Sequence, residues 1–195
     1  MTVIVVGGNG RSAGKTTLIC GLIAALPEFR WTAVKITVHA HGRPETTWEE
    51  TTAGQGTDTA RYLAAGARRA LLVNAPDTNF PIAEIQAALG PDSNVIFESN
   101  RIVNYLQPHH CLAVIGGPLT ESKPSFQPLL QRADAVVISS GADTKLFLLP
   151  PAAPLFHLAH FEPISPEMLA WLRSRLSHQE AALALLLRRE RLRFE

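Results

Sequence analysis

Lys15 and Thr16 stand side by side behind a glycine in the stretch "GGNGRSAGKTT", which follows the apolar run "TVIVV". An ammonium and a hydroxyl placed this way share an obvious chemistry. The lysine can reach phosphate oxygens, the hydroxyl can meet Mg2+, and the backbone N–H groups of a glycine-rich turn can converge on an anion. The pattern G-x-x-x-x-G-K-[ST] asks for glycine at position 9, where this chain carries Asn9 between Gly8 and Gly10. Asparagine tolerates positive φ better than most residues, because its short amide bonds locally. Asn9 is therefore expected to take up a strained dihedral in place of glycine. Asn9, Gly10, Arg11, Ser12, Ala13, Gly14, Lys15, Thr16 and Thr17 form the candidate site for the phosphates of ATP or GTP.

Such a loop needs an acidic partner at the end of a neighbouring strand, to hold Mg2+ or orient a nucleophile. Glu98 ends the apolar run "NVIFE" and, with Thr16, is the expected metal ligand. A plain strand-end carboxylate is the simpler reading of Glu98, and Asp77 is a weaker competitor. Asp134 starts its run and belongs at the opposite edge. In "VKITVHAH" the alternation puts Lys35, Thr37, His39 and His41 on one face, suited to a second substrate. The two histidines could also bind a metal, or simply be exposed in a loop. "GTDTARYLAAG" places Asp58 and Arg61 in the first turn of a helix. Asp58 is a candidate catalytic group and Arg61 a substrate contact, against a cap and a surface arginine. After "DAVVIS", Asp143 falls where guanine-reading proteins carry the Asp of Asn-Lys-x-Asp, but the Asn-Lys is missing; Asp143 is a candidate base contact.

The elements that must position these groups are short. Apolar, β-branched runs at 2–6, 31–38, 69–74, 94–98, 111–115 and 134–139 read as strands buried on both faces, as in parallel sheets. Helical segments at 15–26, 58–65, 81–89 and 166–176 lie between or after them, with Thr57 and Ser165 as caps and stops at Pro27, Gly66 and Gly90. The alternation predicts an α/β fold, a doubly wound, mostly parallel sheet with helices on both faces. Residues 39–56 and 116–128 read as long polar loops, and long loops in compact domains are often functional. Residues 1–177 are expected to form one nucleotide-binding domain. Residues 178–195 read as a terminal helix, docked on the domain or in contact with a second copy.

Of the 195 residues, 46% are hydrophobic and 18% charged, enough for one domain with a core. A net charge of +1 gives no bulk attraction to nucleic acid or to an anionic membrane. No apolar stretch approaches the roughly 20 residues that span a bilayer. The two cysteines, Cys20 and Cys111, sit beside apolar runs and read as a reduced pair. A cytoplasmic protein without a secretory leader is expected.

The order "GKTTL", then "VKITVHAHG", then a polar loop, then "DTARYLAAGARRALLV", then "VIFES" resembles the MobB family of P-loop proteins, nucleotide-binding accessories of molybdopterin guanine dinucleotide biosynthesis. The resemblance covers about residues 2–100. It implies the P-loop fold class that also contains signal-recognition GTPases, nickel metallochaperones and dethiobiotin synthetase. It further implies that Glu98 plays the acidic role and that its strand lies beside the first. The chain departs from the family pattern at Glu98-Ser99-Asn100, where Glu-Gly is usual, and "RIVNYLQPHHC" reads as a helix leading to a further strand. Mg2+-dependent binding and hydrolysis of a nucleoside triphosphate, or phosphoryl transfer to a small molecule, is the expected function. A nucleotide-dependent module that binds a small-molecule or protein partner is the alternative.

Overall fold

The computed structural model describes residues 1–38, 45–90, 94–117, 122–158 and 164–177. Its eight strands are β1 (Val3–Gly8), β2 (Thr32–Thr37), β3 (Thr47–Glu50), β4 (Arg69–Asn74), β5 (Val95–Glu98), β6 (His110–Ile115), β7 (Ala135–Ser139) and β8 (Leu155–Leu158). They form one sheet in the order β3-β4-β2-β5-β1-β6-β7-β8. Every pairing is parallel except that of β3 with β4. The expected doubly wound α/β sheet is observed, with the strand carrying Glu98 directly beside β1.

The helices are α1 (Lys15–Ala25), α2 (Asp58–Ala64), α3 (Ile82–Leu89), α4 (Phe126–Leu130) and α5 (166–177). Alternation along β1 divides the core into two layers. Ile4 and Val6 face Leu18 and Leu22 of α1, Tyr62 of α2 and Met168 and Leu172 of α5. Val3 and Val5 face Ile85 of α3 and Phe126 and Leu129 of α4 on the other side. Helix α1 buries residues over most of its circumference and ends before Pro27, with the Leu26 amide on the Leu22 carbonyl at 3.0 Å. Thr57 caps α2 as expected, its hydroxyl accepting from the Ala60 amide at 3.1 Å.

The sequence reading needs correction at several places. β1 runs on through Gly7 and Gly8, not stopping at residue 6. The "polar loop" contains β3, an edge strand whose Glu49 takes a two-pronged ion pair from Arg69. The stretch 101–109 is one 3-10 turn, Ile102–Asn104, followed by irregular chain. Pro108 removes an amide and disfavours helix at Gln107, and the His109 ring accepts the Val3 amide at 2.9 Å, which fixes the entry into β6. α4 and β8 had no counterpart in the sequence reading. His39, His41 and the segment 178–195 lie outside the described residues.

Candidate nucleotide site

Ligands of open α/β sheets bind beyond the carboxyl ends of the strands, where the winding direction reverses. β1 occupies that position here. The chain winds outward from β1 to β2 and β4, returns to β5, and then continues on the other side through β6. A cleft of about 980 Å3 opens at this edge, and its walls include Gly14, Lys15, Thr16, Lys35, Asp58 and Glu98.

The loop between β1 and α1 is shaped by Ser12 and Gly14, which adopt φ of 57° and 103°. A Cβ on Gly14 would come within 2.6 Å of the Leu158 side chain. Asn9 does not take positive φ, so the expected role for its backbone is wrong. Its side chain is what matters. Asn9 is buried, its Nδ2 donates to the Gly116 carbonyl at 2.8 Å, and its Oδ1 accepts the Gly116 amide at 3.0 Å. The amide group thus stitches the loop to the end of β6. Gly116 must be glycine there, since a Cβ would lie 2.4 Å from the Ala13 Cα. A second asparagine repeats the device. Asn100 accepts the Gly8 amide at 2.8 Å and donates to the Gly8 carbonyl at 3.0 Å.

Helix α1 starts at Lys15 with no side-chain cap at Gly14, which leaves first-turn N–H groups and the positive helix end facing the cleft. The Lys15 ammonium bends back to the Gly10 carbonyl at 2.8 Å. Burial lowers its pKa from the ordinary lysine value; Glu98 acts in the opposite direction, and Lys35 and Lys123 add to the lowering. A phosphate placed in the loop would supply the charge that this ammonium lacks.

Glu98, at the end of β5, is buried and accepts three donors. Thr16 Oγ1 donates to its Oε2 at 2.9 Å, the Tyr62 hydroxyl donates to the same oxygen, and Lys35 Nζ donates to Oε1 at 2.9 Å. Lys35 also pairs with Asp58, and Arg61 stands 3.8 Å from the other oxygen of that carboxylate. Burial alone would lower the Lys35 pKa, but the two carboxylates outweigh it and raise the pKa above the usual value. Asp58 moves the other way: burial would raise its pKa, and the hydrogen bond and charge of Lys35 bring it below normal. The Glu98 and Asp58 carboxylates that share Lys35, and the Thr16 hydroxyl bonded to Glu98, are hard oxygen donors of the kind Mg2+ prefers. Thr16, Glu98 and Asp58 therefore fit a Mg2+ site. Tyr62 is a further member that the sequence reading missed, although its spacing of four from Asp58 puts both on one helical face.

Thr37 and Arg61 line the same cleft, as do Arg11, Ser12, Ala13 and Thr17. Asp77 is there too, largely exposed and paired with Arg101 at 2.7 Å. Asp143 is exposed at the same sheet edge but outside the lining of the cleft, and its carboxylate accepts the Lys145 amide at 2.9 Å. Among the described residues no group of three or more His, Cys, Asp or Glu side chains gathers to hold a metal, and no helix is long and apolar enough to cross a membrane. Cys20 and Cys111 are both free.

The chain is an α/β protein with a mostly parallel sheet and a glycine-rich loop between β1 and α1. No family model matches the chain, and no curated protein sequence matches it. Among solved structures, LpxK from Aquifex aeolicus in complex with ATP is similar at 15% identity and a TM-score of 0.49, over 80% of this chain and 53% of that one. The chain thus spans about half the length of LpxK. HypB from Helicobacter pylori in complex with nickel is similar at 15% identity and a TM-score of 0.47, over 93% of this chain and 88% of that one.

Proposed function

We propose that this chain binds the Mg2+ complex of a nucleoside triphosphate, ATP or GTP, at the β1–α1 loop and cleaves or transfers the terminal phosphoryl group. The observation that carries the reading is the convergence of Lys15, Thr16 and Glu98 at one sheet edge, with the Thr16–Glu98 hydrogen bond at 2.9 Å tying loop to strand. The loop amides and the α1 end receive the phosphates, and Lys15 leaves the Gly10 carbonyl to neutralise them. Thr16 and Glu98 would hold Mg2+, with Asp58 beside them; when bound, the ion neutralises charge developing on the phosphoryl oxygens. Lys35, Thr37 and Arg61 border the space left for an acceptor.

A thermal-shift panel tests the reading: ATP or GTP with Mg2+ raises the melting temperature of wild type and not of Lys15→Ala. A second reading is a MobB-like accessory or metallochaperone-like module, in which nucleotide sets the affinity for a partner and turnover is slow. The exposed Leu146 and Leu148, between β7 and β8, favour it as a contact surface. Steady-state release of phosphate separates the two, being substantial under the first and near background under the second.

A further inference from the structure

The segment after β6 approaches the phosphate loop more closely than a passing connection needs to. The Lys123 amide donates to the Asn9 carbonyl at 3.0 Å. Two residues on, the Ser125 hydroxyl accepts from Asn100 Nδ2 at 3.3 Å, and Asn100 is the residue that clamps Gly8. The Phe126 amide bonds the Lys123 carbonyl at 2.9 Å, and the Phe126 side chain is fully buried. The Lys123 backbone is thereby tied to the loop through its amide and held in a turn, while its side chain stays exposed in the cleft that also holds Lys15.

The charges around the cleft separate into two groups. Near β2, β4 and β5, Lys35, Arg61 and Arg101 are balanced by Asp58, Glu98 and Asp77. On the loop side, Arg11, Lys15 and Lys123 add positive charge that no other lining carboxylate offsets. Among the described residues Lys123 enters no ion pair. It is also close enough to Lys15 to disfavour that ammonium. Two lysines held near each other beside the start of α1 describe a site for more negative charge than one phosphate brings.

We infer that Lys123 is a second phosphate-binding lysine, set by the Asn9 and Asn100 clamps to contact the terminal phosphate of the bound nucleotide. The inference rests on the nucleotide reading of the loop and adds a residue to it. In this arrangement Lys15 serves the phosphates common to di- and triphosphate, and Lys123 distinguishes between them. Because the clamps hold its backbone and not its side chain, truncation of Lys123 leaves the loop in place.

The test is the affinity of wild type, Lys123→Ala and Lys123→Arg for ATP, ADP, GTP and GDP with Mg2+, followed by displacement of a fluorescent nucleotide. A charge-assisted hydrogen bond predicts a loss of about tenfold to a hundredfold in triphosphate affinity for Lys123→Ala. Diphosphate affinity stays unchanged, and Lys123→Arg recovers most of the loss. Unchanged triphosphate affinity, or an equal loss for both nucleotides, overturns the inference while leaving the nucleotide reading intact. Wild type that binds none of the four overturns both.

Discussion

Asn9→Gly restores the glycine that the phosphate-loop pattern expects, and the structure predicts that it weakens the protein. Asn9 has no positive φ for glycine to relieve, and its side chain makes two buried hydrogen bonds to Gly116, at 2.8 and 3.0 Å. Removing it deletes both and leaves a buried amide and carbonyl of Gly116 without partners. Each lost bond is worth about 0.5–1.5 kcal/mol net, and each orphaned buried group costs about 1–3 kcal/mol. Allowing for overlap between these terms, about 3 kcal/mol is expected. In a chain of this size that corresponds to about 6–12 °C in melting temperature. Asn9→Ala should lose as much, and Asn9→Asp should also lose, because a carboxylate would face the Gly116 carbonyl in place of a donor. The assay is thermal unfolding of the three variants beside wild type, without nucleotide. An Asn9→Gly protein as stable as wild type, or more so, would refute the clamp.

Further predictions follow from the same geometry. Gly116→Ala places a Cβ against the Ala13 backbone at 2.4 Å, so nucleotide affinity measured by titration should be largely lost. Tyr62→Phe removes a buried donor to Glu98 and should cost about 1–3 kcal/mol in denaturant unfolding. His110 is buried with neither ring nitrogen partnered among the described residues, and burial lowers its pKa, with Asp134 acting against this and Arg175 and His109 in the same direction. A base whose folded pKa is depressed binds more protons when unfolded, so stability falls as pH drops below about 6.5. His110→Phe should flatten that decline between about pH 7 and pH 5, read as melting temperature against pH. For Asp58 the folded pKa is depressed, so its contribution is present above the ordinary aspartate range and is lost on acidification through the lower folded value. The stability gap between wild type and Asp58→Asn should therefore be constant near neutrality and close only in strong acid.

The sequence was legible where one physical cause decided the outcome. Short, β-branched, continuously apolar runs bounded by turn residues favour strands buried on both faces, and they were read to within a few residues. Lys15, Thr16 and Glu98 were legible because strand, turn and helix come in a fixed register around them. β3 was hidden because an edge strand such as "TWEE" needs no apolar run, its stability coming from pairing with β4 and from the Arg69–Glu49 ion pair. Asn9 shows a different limit. Its conformational tolerance was a sound argument about backbone, but the residue is fixed by a partner 107 positions away, which local reasoning does not reach. Asn100, Tyr62 and Lys123 were missed for the same reason, since each acquires its role through a contact made by the tertiary fold.

The central claim is that the β1–α1 loop is a nucleotide site, and thermal unfolding of wild type and Lys15→Ala with Mg2+ and saturating ATP or GTP tests it most directly. Ligand at about a hundred times its Kd stabilises the folded state by about 2.7 kcal/mol, which predicts a rise of about 5–10 °C for wild type and none for the variant. Wild type that fails to shift with either nucleotide, or a Lys15→Ala protein that shifts equally, would contradict the account.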